Sequence, residues 1–146
     1  VSAGGVDTRR PRAKIISVPD RSADWLTQAE RDLAQARDSA AAGRHEWACF
    51  AAQQAAEKAA KALHLHLGQE AWGHVVWQLL EELPASAQAP AELLDRARVL
   101  DAHYIPTRYP NGHPAGAPGA HYGALQSREA IAHAAAILDF VRSAMA

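Results

Sequence analysis

Alanine supplies 35 of the 146 residues, and this narrows the choice of fold more than any other feature of the chain. Alanine is the best helix former and a poor strand former, so the sequence favours helices with close packing and disfavours an all-β architecture. A chain of this length is one domain, long enough to bury a core without disulfides or a structural metal. Its single cysteine, Cys49, excludes an intrachain disulfide and fits a reducing compartment. Lys plus Arg is 15 and Asp plus Glu is 16, a net charge of −1. No global positive field draws the chain onto nucleic acid or anionic lipid, so a nucleic-acid site has to be a local patch. No apolar run approaches the roughly 18 residues of a membrane span, and the opening does not resemble a secretory signal. The expected location is the cytoplasm.

Residues 1–20 carry Arg9, Arg10, Arg12 and Lys14 around Pro11 without apolar periodicity, which predicts a flexible basic tail ahead of a domain over 21–146. Leu26, Ala29, Leu33, Ala36 and Ala40 predict a first helix over 23–41, with Ser22 as N-cap and Gly43 as its stop. Ala48, Ala52, Ala55, Ala56, Ala59, Leu63 and Leu67 predict a second over 45–67, stopped by Gly68. A short helix over 73–82 ends at Pro84, a linker covers 85–90, and a fourth helix spans 91–104. Residues 105–123 hold four prolines and four glycines, which no helix survives. A loop of that length is often functional or disordered. A last helix over 127–145 starts at Ser127 and buries Ala130, Ala134, Ile137, Leu138 and Val141. The expectation is an all-α, up-and-down bundle of four main helices and one short one.

Two blocks carry a family resemblance. Trp47-Ala48-Cys49-Phe50-Ala51-Ala52-Gln53-Gln54-Ala55-Ala56-Glu57-Lys58-Ala59-Ala60-Lys61-Ala62-Leu63 resembles the second helix of HEPN (higher eukaryotes and prokaryotes nucleotide-binding) domains. The stretch from Leu100 and Asp101 through Tyr104, Arg108, Tyr109 and Pro110 resembles that family's Asp…Tyr-x-x-x-Arg-Tyr-Pro segment, and the final alanine-rich helix fits as well. The likeness covers about 21–146. It implies a HEPN-like bundle that pairs as a homodimer. It also implies a minimal nucleotidyltransferase as partner, in two-gene systems of the toxin–antitoxin kind. Some HEPN branches are metal-independent ribonucleases; others bind nucleotide or act as non-catalytic partner subunits.

The ribonuclease branches carry Arg, four to six residues, then His, and Arg108 and His113 meet that spacing. By this resemblance they are the candidate catalytic pair. Histidine titrates near neutral pH and can take the 2′-hydroxyl proton, while a guanidinium can hold the phosphate bidentately. Arg98 and His103 meet the same spacing. His121 and Tyr122, nearer the last helix, are alternative partners for Arg108. Each residue also has a plainer role open to it. Arg108 can salt-bridge Asp101 or Glu57 and hold the loop. Asp101 can anchor Arg108 or modulate a histidine. Tyr104 and Tyr109 can pack or stack on bases. Gln53, Glu57 and Lys61 can line a nucleotide pocket or form a solvated helix face. A purely structural dimer also remains open.

Metal ligation looks poor. His64 and His66 fall on different faces of their helix, and no second cysteine supports Cys49. No phosphate-binding glycine loop is present, and no cofactor is expected. Four tryptophans, Trp25, Trp47, Trp72 and Trp77, are expected to close one end of the bundle, while an exposed subset would mark a partner surface.

Overall fold

The computed structural model describes residues 20–146, so the basic tail expected over 1–20 lies outside the described residues apart from its last position. Five α-helices follow in order: α1 Ser22–Ala41, α2 His45–His66, α3 Val76–Glu81, α4 Ala91–Asp101 and α5 Ala124–Met145. No strand occurs among the described residues. The all-α bundle expected from alanine content and periodicity is the fold observed.

Helix α2 is the axis of the bundle. It packs against α1 and α5 along most of its length, and α3 and α4 close its remaining side. Ala48, Ala52, Ala55, Ala56, Ala59, Ala60 and Ala62 are fully buried along it. Facing them are Ala29, Leu33 and Ala36 of α1, and Ala130, Ala134, Ile137, Leu138 and Val141 of α5. Cys49 is buried in the same seam, and burial pushes its thiol up to about 12, so it behaves as a small apolar residue.

Two glycines end the long helices as their positions suggest. Gly43 and Gly68 adopt φ of 80° and 77°. The amide after each reaches back to a helix carbonyl, Arg44 to Ser39 (2.8 Å) and Gln69 to His64 (2.8 Å). These are Schellman closures, which require the left-handed conformation that glycine adopts freely.

Helix starts depart from expectation. Ser22 and Ser127 lie inside their helices rather than capping them. The Asp20 carboxylate accepts the Ser22 N–H (2.8 Å), and at α5 the Gln126 side chain accepts the Gly123 N–H (2.7 Å). Ser127 is buried, and its hydroxyl bonds the His45 ring (2.8 Å). Helix α4 stops at Asp101 instead of 104, five residues before Pro106, which supplies no N–H to a continuing helix. The 105–123 segment is ordered by two 3₁₀ turns, Pro110–Gly112 and Pro118–Ala120. Gly112 lies so close to Pro106 that a Cβ there would sit 2.9 Å from the Pro106 Cα.

The tryptophans do not form one cluster. Trp25, Trp47 and Trp72 are exposed, Trp72 by 80%, and Trp77 is half-buried beneath Arg98. No helix among the described residues is long and apolar enough to cross a membrane.

Close packing on α2 has a direct test. Ala56→Leu should cost about 1–3 kcal/mol by overpacking, read as a lowered urea midpoint. An unchanged midpoint would contradict the seam.

Candidate functional site

Burying α2 on nearly every side carries three of its polar residues into the interior. Gln53, Glu57 and His64 are all buried, so the solvated helix face considered for this stretch does not exist. Each has found partners, as buried polar groups must. The His64 ring donates from Nε2 to the Leu79 carbonyl (2.7 Å), tying α2 to α3. Glu57 accepts from Gln53 Nε2 (3.1 Å), from Lys61 Nζ (3.1 Å) and from His74 Nδ1 (3.1 and 3.2 Å). Gln53 also donates to the His74 main-chain carbonyl (3.2 Å). The segment between α2 and α3 is thereby held at both backbone and side chain of His74.

From His74 an aromatic row leads into the loop. Its ring stacks on Tyr104 with centroids 4.6 Å apart and an interplanar angle of 18°. The Arg108 guanidinium lies 4.7 Å from the same Tyr104 ring, 4.3 Å from Phe50 and 5.2 Å from Tyr109. Its Nε and Nη2 donate to the Tyr104 carbonyl (2.9 and 2.6 Å). No carboxylate bonds it among the described residues, so neither salt bridge considered for it forms. Asp101 serves instead as the cap of α3, accepting the Val76 and Trp77 N–H groups (2.6 and 3.1 Å). Burial pushes the Asp101 carboxyl up, with the Glu57 charge adding to it, while those two N–H groups pull it down.

His113 belongs to a different cluster. Its Nε2–H donates to the Pro106 carbonyl (2.7 Å), and its ring stacks on His121 at 4.1 Å. The His121 Nε2–H donates to the Ala115 carbonyl. Tyr122 sets its edge against His113 and against His103. Arg108 and His113 thus share the loop without a hydrogen bond between them. In the second motif match, Arg98 pairs with Asp95 (2.7 Å) and His103 packs against Tyr122.

Phe50 and His74 complete the Arg108 surroundings and were not singled out from sequence. Phe50 stands one turn from Trp47 and one from Gln53, inside the HEPN-like block, where helical spacing could have flagged it. His74 follows Gly73 in a non-helical segment and offers no periodic signal. A groove of about 430 Å³ adjoins this region, lined by Arg44, Trp47, Phe50, Gln54 and Lys58 among others. Among the described residues no group of three or more His, Cys, Asp or Glu is placed to hold a metal ion.

A sequence model of the HEPN domain matches residues 22–144. The chain belongs to the HEPN family. No functionally curated protein matches the sequence. Among solved structures, the chain is similar to TT1696 from Thermus thermophilus, with 50% identity over 86% of this chain and 99% of that one, at a TM-score of 0.85. It is similar to ST0689, an archaeal HEPN homologue, with 40% identity over 88% and 100% of the two chains and a TM-score of 0.73. A HEPN domain protein of Thermotoga maritima, tm0613, is 33% identical over 82% and 95%, with a TM-score of 0.67.

Two histidines link this HEPN fold to pH. Burial pushes His103 and His133 below their ordinary range, and Arg96, which donates to the His133 ring (3.1 Å), lowers His133 further. Both stay neutral in the fold where the unfolded chain is already protonated. Their stabilisation is present above the unfolded value of about 6.5 and is lost as pH falls below it. Unfolding free energy should therefore drop between about pH 7 and pH 5, and less steeply in the His103→Gln, His133→Gln double variant. Equal slopes would contradict the assignment.

Proposed function

We propose that this HEPN chain binds RNA or nucleotide phosphate at Arg108. The observation that carries the reading is a guanidinium framed by Phe50, Tyr104 and Tyr109 with no carboxylate bonded to it among the described residues. Two of its N–H groups fix it to the Tyr104 carbonyl, and the remaining donors are left for an anion. Trp47 and Tyr109, each about half exposed, offer ring faces for bases beside it. Arg44 and Lys58 in the adjoining groove extend the cationic surface. Lys61 and Glu57 support the site from below through His74.

In this reading the chain works as a homodimer, supported by the family resemblance and by the exposed apolar side chain of Ile105. The minimal nucleotidyltransferase partner and the toxin–antitoxin setting are supported by the family resemblance. Metal-independent RNA cleavage is the activity that a guanidinium and an imidazole at one site would serve. A second reading, binding without cleavage, is favoured by the placement of His113 in a separate cluster with His121 and Tyr122.

Arg108→Ala should weaken binding of a labelled single-stranded RNA by about tenfold or more, equivalent to about 1.4 kcal/mol, and Arg108→Lys should not restore it, since an ammonium lacks the planar fork. Unchanged anisotropy titrations would overturn the reading. Light scattering should give twice the chain mass; a monomer at high concentration would remove the dimer.

A further inference from the structure

We propose that His74, oriented by Glu57, is the general base for RNA cleavage by this chain, an inference that rests on the RNA-binding reading of Arg108. The eight histidines of the chain can be sorted by what their ring nitrogens already do. His45 is bonded to Ser127, His64 to Leu79 and Gln69, and His133 to Arg96. His113 and His121 donate to loop carbonyls and stack on each other. His103 packs its ring against Tyr122. His66 lies sixteen residues along α2 from Phe50, about 24 Å by the helical rise. His74 remains. Its Nδ1–H is held by a carboxylate that is itself buried, which leaves the lone pair on Nε2. Its side chain is 54% exposed.

The placement matches the division of labour that such a reaction needs. Glu57 fixes the tautomer and orientation of the imidazole, as a carboxylate does for a catalytic histidine in general. Gln53 and Lys61 satisfy the same carboxylate, and Gln53 also pins the His74 backbone. The imidazole and the Arg108 guanidinium both pack on the Tyr104 ring, so base and phosphate anchor stand one aromatic ring apart. Nothing comparable joins Arg108 to His113.

The step balances without a further reactant. His74 Nε2 takes the proton of a 2′-hydroxyl, and the 2′-oxygen bonds the adjacent phosphorus while Arg108 holds its non-bridging oxygens. The bond from phosphorus to the 5′-oxygen breaks, and that oxygen takes a proton from solvent. His74 then returns its proton to solvent. The products are a 2′,3′-cyclic phosphate and a 5′-hydroxyl. Glu57 is a positioning residue, since it acts through the imidazole.

The test uses the full chain and a fluorescently labelled single-stranded RNA of mixed sequence, with its 2′-deoxy counterpart as the uncleavable control. Wild type should cut the RNA to cyclic-phosphate ends. His74→Gln should lower the single-turnover rate at saturating RNA by about 10²-fold or more, and His66→Gln, remote from Arg108, should cut at the wild-type rate. Nitrogen NMR of the imidazoles should show His74 as the Nδ1–H tautomer in wild type and a mixture in Glu57→Gln. Loss of cleavage in His113→Gln with retention in His74→Gln would overturn the inference and leave the Arg108 reading intact. RNA bound by wild type without cleavage would overturn it too, again sparing that reading. Absence of RNA binding by wild type would remove both.

Discussion

The close approach of α1 and α5 to α2 governs the rest of this structure. Alanine at 48, 52, 55, 56, 59 and 60 lets neighbouring helices settle against α2 at short range, and little of that helix is left facing water. A helix so enclosed cannot keep a conventional polar side. Gln53, Glu57 and His64 are taken inward, and each then needs partners from elsewhere in the chain. Those needs are met by Lys61, by His74 in the segment before α3, and by the Leu79 carbonyl. The polar architecture beside Arg108 thus follows from how tightly an alanine helix can be packed.

Arg108 itself is secured by other means. A guanidinium at a half-buried position is ordinarily matched with an acid. Here aromatic faces and one main-chain carbonyl hold it, and the nearby carboxylates are occupied, Glu57 by Lys61 and His74, Asp101 by the first N–H groups of α3. The division keeps the cation in place without neutralising it. The loop that carries Arg108 is shaped by its own internal bonds: His113 to Pro106, His121 to Ala115, and the close pass of Gly112 over Pro106. The histidines within the loop thus hold its shape, while the histidine nearest Arg108 through Tyr104 comes from a distant segment.

The helices were legible because their signals are local. Apolar spacing marked the buried faces of α1, α2 and α5, and Gly43 and Gly68 marked where the long helices turn. Arg108 was legible through the HEPN-like segment around it. The remainder of the site was less so. Glu57 reads as half of an i,i+4 ion pair with Lys61, and only the third dimension shows that both approach a buried junction. His74 is seventeen residues beyond Glu57, in a stretch without periodicity, so no spacing rule connects them. The turns of 105–123 were hidden for a related reason. Proline and glycine announce that a helix stops, but long-range bonds such as that of His113 to Pro106 decide what replaces it. Ser22 and Ser127 show the converse failure: good capping residues that were drawn inside their helices, with Asp20 and Gln126 taking over the task.

The burial of Cys49 has a practical side. With the only thiol of the chain enclosed beside the alanine seam and its ionisation pushed up to about 12, almost no thiolate is present near neutral pH. Reagents that modify cysteine will find little to attack in the native protein. A cysteine introduced at a chosen surface position would therefore be the sole reactive handle, so spectroscopic labels could be placed around the Arg108 loop one at a time on an otherwise silent background.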